Sequence, residues 1–348
     1  MSRIAATVPV LPAYSYPQEE ITRVLAPLIS PAPERRAVLQ RMHASSGIGT
    51  RYTALPIEEY EHLGSFREVN DTYIRLATDL AERAVREALD RVGLEAPDVD
   101  YILFTSVTGI AAPSIDALLV SRMGLRPDVK RMPSFGLGCV GGAAGIARVD
   151  DYLAGHPGEV GVLVSVELCS LTLQRDDATV ANFVATGLFG DGGAAVVLVG
   201  DDRPEPGIRV LGTRSCLFPD SEDVIGWHIG GTGFEIVLTA GVADVIAKHF
   251  PDEVAAFLGD HGLTVDDIGA WVAHPGGPRV LDAFAASVDA PADAFARSWG
   301  LLDRTGNLSS AAVLHVLADF GEQPAGTHGL LFALGPGVSA EFVLLEWT

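Results

Sequence analysis

The sequence predicts an α/β fold with two similar halves, in which sheets are covered by helices. Apolar segments at 101–107 and 161–168 alternate with helical stretches such as 115–123, as in parallel or mixed sheets with covering helices. Segment 74–93 repeats apolar residues every three or four positions with charges between them, which is typical of an amphipathic helix packed on a sheet. The chain has 348 residues, 48% of them hydrophobic, and can therefore bury a large core.

Two pairs of matching segments indicate an internal duplication. A glycine-rich turn runs into a strand both at 189–200 (FGDGGAAVVLVG) and at 334–347 (LGPGVSAEFVLLEW). A polar residue follows glycine, and small residues then open a helix, both at 136–153 and at 306–317. Each strand would close one half, and each helix would occupy the same place in its half.

These matches place one half at 1–200 and the other at 201–348. The stretch GDDRPEPG at 200–207 supplies a break that resembles a linker. No fixed period of about 20 to 50 residues recurs, so a solenoid or another repeat array is not expected.

Composition and charge exclude several classes of function. The 45 acidic and 24 basic residues give a net charge of −21, which opposes attraction to nucleic acid or to anionic membranes. The first fifteen residues show no clear cleavage signal, and no apolar run approaches about 18 residues. Three cysteines are too few for a disulfide framework or a four-thiolate zinc site, and no clustered Cys/His spacing appears. We expect a cytoplasmic protein that uses no metal and binds neither nucleic acid nor membrane.

Three residues are candidates for catalysis. Cys139 lies at a predicted helix N-terminus, where backbone N–H groups and the helix dipole favour a thiolate. A lone cysteine is more often a buried structural residue, so its context must decide. His274 supplies that context because it ends an apolar strand and precedes the tight loop PGGP. Asn307 occupies the position in the second half that mirrors Cys139.

These residue types together suit thioester chemistry. An imidazole beside a thiol gives a reactive thiolate–imidazolium pair, and an amide with an imidazole can donate hydrogen bonds to a thioester enolate. The order Cys, His, Asn also fits a papain-like protease, but the Cys-Gly-Ser-Cys-Trp signature of that class is absent. A catalytically silent scaffold would more naturally have lost one of the three residues.

Seven segments spread over nearly the whole chain are together highly specific. They are GLGCVGGAAG, SVELCSL, LFGDGGAAVV, PDSED, WVAHPGGPRVLD, GNLSSAAVL and GPGVSAEFVLLEW. In these segments the chain resembles the type III polyketide synthases, the chalcone-synthase-like family with a thiolase fold. A ketoacyl-ACP synthase of the initiating kind would share the fold and the Cys-His-Asn set, but the HPGGP and GPG segments favour the coenzyme-A family.

The resemblance implies a role for each candidate residue. Cys139 would carry the acyl chain, and His274 and Asn307 would assist decarboxylation of malonyl-CoA and stabilise the enolate. Phe189, in LFGDG, matches the aromatic gate between the coenzyme tunnel and the cavity.

The resemblance also implies the partners of the chain. Arg41 falls where the family keeps a basic residue for the coenzyme A phosphates, although Ser45 stands where a lysine is common. Acyl-CoA and malonyl-CoA would be substrates, with no further cofactor. Family members are homodimers, and segment 108–114 corresponds to a loop that reaches toward the partner's cavity.

Within the family, the sequences of segments 126–139 and 165–172 are similar to those of actinobacterial alkylpyrone synthases, which take fatty acyl-CoA starters. Thr108, Ala112 and Cys169 match positions that line the acyl tunnel in those enzymes. We therefore expect an aliphatic starter and an alkylpyrone or alkylresorcinol type of product. The alternative is a naphthalene-forming synthase that uses malonyl-CoA alone, in which a cysteine is typical at the position of Val107.

Overall fold

The computed structural model describes residues 2–175 and 177–348. Within them the chain forms a nine-stranded mixed sheet and two two-stranded ribbons. The strands are β1 (Ser2–Val10), β2 (Tyr14–Pro17), β3 (Thr50–Thr53), β4 (Tyr101–Thr105), β5 (Lys130–Ser134), β6 (Val160–Leu168), β7 (Asp191–Gly200), β8 (Ile208–Leu217), β9 (Ile225–Gly230), β10 (Gly233–Leu238), β11 (Ile268–Ala273), β12 (His328–Gly335) and β13 (Ser339–Glu346). The α-helices are α1 (Gln18–Ile29), α2 (Pro33–Ala44), α3 (Phe66–Val92), α4 (Ile115–Met123), α5 (Gly141–Ala154), α6 (Val180–Leu188), α7 (Val242–Asp260), α8 (Pro278–Ser287), α9 (Ala296–Thr305) and α10 (Ala312–Phe320).

The large sheet repeats one pairing pattern on either side of its centre. In the first half, β4 pairs in parallel with β6, and β6, β7 and β1 continue antiparallel. In the second half, β11 pairs in parallel with β12, and β12, β13 and β8 continue antiparallel. Strands β1 and β8 join the halves through two residue pairs, and β5 and β11 lie at the two edges. The strand pairing is therefore duplicated, with strands before residue 201 on one side and strands after residue 207 on the other.

Two helices lie between the halves of this sheet. Helix α5 contacts β4, β6 and β7 of the first half and β8, β12 and β13 of the second, and α10 also contacts strands of both halves. Helix α3 covers the other face of β1, β6 and β7, while α7 and α8 pack in the core cluster of the second half. Strands β6 and β7 are buried at every position because both of their faces are covered, which explains their mostly apolar composition.

The predicted helix at 74–93 is the C-terminal part of the longer helix α3. Ser65 and Glu68 form a capping box that starts α3 two turns earlier, with Ser65 N donating to Glu68 Oε2 at 2.9 Å. Gly93 ends the helix in the left-handed conformation, at φ 69°. The apolar pattern missed the first two turns because Tyr73 is the only buried residue in them.

The start of α5 approaches the second half so closely that a side chain would clash there. A Cβ atom at Gly142 would overlap the carbonyl oxygen of Ser310 and would lie 2.9 Å from Val313 Cγ1. Gly142 therefore sets the spacing between the helix that follows Cys139 and the turn that follows Asn307.

We predict that Gly142→Ala lowers the free energy of unfolding by about 1–3 kcal/mol, because the added methyl group forces α5 away from Ser310. The matched control is Gly259→Ala in α7, where a Cβ would meet nothing within 4 Å. That control should be neutral or stabilising by about 0.4–1 kcal/mol. Urea unfolding followed by circular dichroism measures both variants, and equal stabilities would contradict the close approach.

Candidate active site

A largely apolar cavity opens beside Cys139. About 910 Å³ of space not occupied by protein atoms lies in and around it, and this figure includes open solvent at its mouth. Strand β3, helices α1 and α6, the segment after β6 and the β9–β10 hairpin form its walls. The lining residues are Ile21, Leu25, Arg51, Tyr52, Thr53, Val107, Thr108, Gly138, Cys139, Cys169, Ser170, Thr172, Leu173, Gln174, Asn182, Ala185, Thr186, Phe189, Ile225, Gly226, Trp227, Phe234, Ile236, Ser309 and Pro336.

Cys139 lies in a single 3₁₀ turn, Gly138–Val140, which leads directly into α5. Gly138 has φ 54°, and a Cβ there would lie 2.7 Å from Pro336 Cγ, so the turn requires glycine for both conformation and space. The Cys139 thiol lies 3.7 Å from Ser309 Oγ. Burial raises the pKa of the Cys139 thiol to about 12, although the Ser309 contact opposes the rise.

Asn307 is held from both sides by the segment that carries Phe189. Its backbone N–H donates to the carbonyl of Leu188 at 2.9 Å, and its carbonyl accepts from Gly190 N at 3.0 Å. The side-chain Oδ1 accepts from Ser309 N at 2.8 Å. These bonds fix both the backbone and the amide plane of Asn307.

His274 follows β11 and is buried. Its backbone N–H donates to the carbonyl of Phe332 at 2.9 Å, which extends the pairing of β11 with β12. Neither imidazole nitrogen has a hydrogen-bond partner among the described residues, although both are buried. Burial lowers the pKa of His274 to about 3, so the ring is neutral in the unliganded site. Two buried ring nitrogens without partners among the described residues call for an explanation, because buried polar atoms are normally hydrogen-bonded.

A chain of contacts connects the three predicted catalytic residues. Asn307 Nδ2 donates to the carbonyl of Gly276 at 3.3 Å, two residues after His274. Asn307 Oδ1 accepts from Ser309, whose hydroxyl lies beside Cys139. The sequence predicted a thiolate–imidazolium pair, but burial shifts both pKa values toward the neutral thiol and the neutral imidazole. In the unliganded site the neutral pair is therefore favoured.

A buried glutamate, which sequence reasoning missed, organises the wall behind Cys139. Glu167 Oε2 accepts hydrogen bonds from Val107 N at 3.1 Å and Thr108 Oγ1 at 3.0 Å. Glu167 Oε1 accepts from Ser309 Oγ at 3.2 Å and from the hydroxyl of Ser310. Burial raises the pKa of Glu167, and these donors oppose the rise. A carboxylate inside the apolar strand of SVELCSL was an available signal.

Only some of the predicted substrate-binding residues line the cavity. Phe189, Thr108 and Cys169 line it. Ala112 is exposed and is not part of the lining. Arg41 is exposed on α2, which packs against α6, one of the cavity walls. The structure thus gathers three of the five positions around Cys139.

The β9–β10 hairpin closes one side of the cavity and was not recognised from the sequence. Trp227 of β9 and Phe234 of β10 line the cavity, and their ring centroids lie 6.1 Å apart. Gln174 Nε2 donates to the carbonyl of Phe234 at 3.0 Å and so attaches the hairpin to the segment after β6. Large aromatic side chains therefore limit the space on this side.

The described residues contain no group of three or more His, Cys, Asp or Glu side chains arranged to hold a metal ion. Within the same part of the chain, no helix is both long and apolar enough to cross a membrane.

Two family models match almost the whole chain. The N-terminal domain of chalcone and stilbene synthases matches residues 6–203, and the C-terminal domain of the same synthases matches residues 210–347.

Individual proteins match over similar lengths. The chain is 50% identical to 1,3,6,8-tetrahydroxynaphthalene synthase of Streptomyces peucetius subsp. caesius, over 99% of this chain and 93% of that protein. It is 29% identical to the alpha-pyrone synthesis polyketide synthase-like Pks18 of Mycobacterium tuberculosis, over 90% of this chain and 83% of that protein. The crystal structure of 1,3,6,8-tetrahydroxynaphthalene synthase from Streptomyces coelicolor A3(2) superposes with a TM-score of 0.93 at 32% identity, covering 99% of both chains.

Proposed function

The chain belongs to the chalcone and stilbene synthase family, the type III polyketide synthases with a thiolase fold, and we propose that within this family it builds its product from malonyl-CoA alone. The enzyme is an acyltransferase that acts on coenzyme A thioesters. The observation that carries the proposal is the 50% identity, over 99% of the chain, to a tetrahydroxynaphthalene synthase. The proposed product is accordingly an aromatic naphthalene, and this reading replaces the aliphatic starter as the leading hypothesis.

Loading begins at Cys139. The thiol attacks the carbonyl carbon of the malonyl thioester, and its proton passes through His274 to the departing sulfur. Coenzyme A therefore leaves as its thiol, and the imidazole is neutral again. The acyl chain is then bound to Cys139, which lines the cavity, and the cavity supplies the space in which the chain can grow.

Extension uses the hydrogen-bond donors of His274 and Asn307. They donate to the thioester oxygen of a second malonyl-CoA while its carboxylate leaves as CO₂, which produces an enolate. The enolate carbon attacks the acyl carbon on Cys139, and the thiolate leaves, so the lengthened chain is now bound to coenzyme A. A neutral imidazole with no partner among the described residues can donate one N–H, and the Asn307 amide keeps one N–H beyond its bond to Gly276.

A second candidate is the aliphatic starter. The apolar cavity lining and the presence of Val107 support it, together with the likeness to an alpha-pyrone polyketide synthase. Thr108 contributes less room than the sequence suggested, since its hydroxyl is engaged by Glu167, and Ala112 lies outside the lining. Trp227 and Phe234 occupy volume that a long acyl chain would need.

Binding of the coenzyme requires positive charge on a strongly acidic protein. We assign the phosphate contact to Arg41, because it is exposed on α2 and α2 packs on α6, which lines the cavity through Ala185 and Thr186. Ser45, where the family commonly has a lysine, donates its hydroxyl to the carbonyl of Met42 at 3.0 Å instead.

The proposed assembly is a homodimer that joins two copies near strand β5. This strand lies at the edge of the large sheet, and four of its five residues are exposed. Ile110, Met132 and Phe135 are each 45–47% exposed around it, and exposed apolar side chains gathered in one place mark interaction sites. A second copy would cover both the unpaired edge and these side chains.

We predict that Cys139→Ala abolishes polyketide formation, because no thiol remains to accept the chain, while malonyl-CoA decarboxylation persists. Cys216→Ala, outside the cavity lining, is the matched control and should retain both activities. His274→Ala and Asn307→Ala should each slow decarboxylation on the order of 10²-fold or more. Acetyl-CoA release measured by chromatography tests all four variants, and normal decarboxylation in the last two would refute their roles.

The same assay gives a pH prediction. Because burial lowers the pKa of His274 to about 3, the ring stays neutral at higher pH. Decarboxylation by Cys139→Ala should therefore stay level between about pH 5 and pH 8, with no loss of rate as pH rises through the ordinary histidine pKa of about 6.5. A fall centred there would mean that the protonated imidazole is the donor.

The choice of starter is tested by feeding malonyl-CoA alone and malonyl-CoA with hexanoyl-CoA. The wild type should form an aromatic product from malonyl-CoA alone and should incorporate little hexanoyl. Trp227→Ala should raise hexanoyl incorporation, since each buried CH₂ contributes about 0.8 kcal/mol once space exists. Trp299→Ala, outside the lining, is the control. Mass spectrometry of the products distinguishes the two starters, and efficient hexanoyl priming by the wild type would favour the second candidate.

We predict that Met132→Glu weakens the dimer, because it places a charge in the apolar contact. Val180→Glu, at a residue that is 62% exposed at the start of α6, is the control. Sedimentation velocity at micromolar protein measures both, and a monomeric wild type would contradict the proposed assembly.

A further inference from the structure

One buried cation in the cavity wall has no counterpart in the mechanism above. Arg51 of β3 lines the cavity and is only 5% exposed. Burial of a charged group without full pairing is costly, so a buried guanidinium in a cavity calls for an explanation.

The protein satisfies only part of the Arg51 guanidinium. Nε donates to Gln18 Oε1 at 2.7 Å, and Nη1 donates to the carbonyl of Phe189 at 2.7 Å. Nη2 is buried and has no hydrogen-bond partner among the described residues. Burial lowers the pKa of Arg51 to about 10, which leaves the group charged at neutral pH. One edge of a permanent cation is therefore unpaired.

No carboxylate of the described residues forms an ion pair with Arg51. The nearby acid is Asp191, whose oxygens accept from Ala54 N at 2.6 Å, from Ser170 N at 2.7 Å and from the Ser170 hydroxyl. Burial raises the pKa of Asp191 to about 7, which reduces its negative charge at neutral pH. The positive charge on Arg51 is thus incompletely balanced by the protein.

We infer that the free Nη2 edge of Arg51 binds an anionic oxygen of the chain that grows on Cys139. Arg51 and Cys139 line the same cavity, so a chain attached to the sulfur would grow in the space that Arg51 borders. Hydrogen bonds between a guanidinium and a charged oxygen are roughly twice as strong as neutral ones, and water exclusion strengthens them further. The inference rests on the proposed function, since it assigns Arg51 a role in handling the polyketide.

Two parts of such a chain can present an anionic oxygen to Arg51. A chain primed by malonyl-CoA keeps a carboxylate at its far end, and any poly-β-ketone can lose a proton to form an enolate. Either oxygen would match the unpaired edge, and in both cases Arg51 would favour longer chains by holding the part remote from Cys139.

A purely structural role is the competing explanation. Arg51 supports the Phe189 carbonyl, and the segment around Phe189 pairs with Asn307, so loss of Arg51 could displace the catalytic amide. That role would lower decarboxylation, whereas a role in chain binding would change ligand affinity and product length.

The first experiment measures binding without turnover. Isothermal calorimetry with 4-hydroxy-6-methyl-2-pyrone, an acidic enol, is performed on protein that carries Cys139→Ala. Adding Arg51→Met should weaken binding at least tenfold, and Gln18→Glu should also weaken it because it places a competing carboxylate on Nε. Arg36→Met removes a surface arginine that donates only to backbone carbonyls in its own region, and it should leave affinity within about twofold. Equal affinity in Arg51→Met and its parent would overturn the inference even if the proposed product is wrong.

The second experiment measures product length and separates the two sources of anionic oxygen. With an intact Cys139, Arg51→Met should shift products toward shorter pyrones. A shift with malonyl-CoA alone but not with hexanoyl-CoA priming assigns the contact to the starter carboxylate, and a shift in both assigns it to the enolate. If decarboxylation falls as much as polyketide formation, Arg51 acts through Asn307 and the inference is wrong. Gln18→Glu provides the same readout should Arg51→Met fail to fold.

Discussion

The close approach of α5 to the turn before α10 is the constraint on which the active site depends. Each half of the duplicated fold supplies one of these elements, and Cys139 and Asn307 lie where they meet. Gly142 permits the contact because a Cβ there would overlap Ser310. The carboxylate of Glu167 then bonds to Ser309 and Ser310 across the same boundary. The proposed nucleophile and the proposed amide donor are thus positioned by the packing of the two halves, so the candidate site exists only in the complete fold.

The polar groups of the site differ in how many of their hydrogen bonds the protein supplies. That difference separates the groups that hold the wall in place from those expected to bind substrate. Glu167 accepts several hydrogen bonds and is held rigidly as part of the wall. Among the described residues, two buried ring nitrogens of His274 and one buried guanidinium nitrogen of Arg51 have no hydrogen-bond partner. Leaving such atoms unpaired costs about 1–3 kcal/mol each, a cost that a substrate oxygen can offset on binding. Unpaired donors therefore mark the positions where substrate is expected.

The sequence predicted those features that depend on local pattern and on recognisable segments. The strands at 101–107 and 161–168 and the family were recognised, because apolar runs and glycine-rich turns are local signals. The β9–β10 hairpin was missed, because buried and exposed residues do not alternate along either of its strands. Arg51 was missed because its hydrogen-bond partners, Gln18 and Phe189, are distant from it in sequence. Ala112 was assigned to the cavity by resemblance alone, and its placement depends on the fold around it.

We propose that Cys139 carries the growing chain at the junction of the two halves. Incubation with malonyl-CoA, rapid acid quenching and peptide mass spectrometry would locate the covalent intermediate directly. The peptide that contains Cys139 should carry acyl groups whose masses increase by whole ketide units, while peptides with Cys169 and Cys216 stay unmodified. Acyl groups on Cys169, or none on Cys139 while product accumulates, would contradict the account.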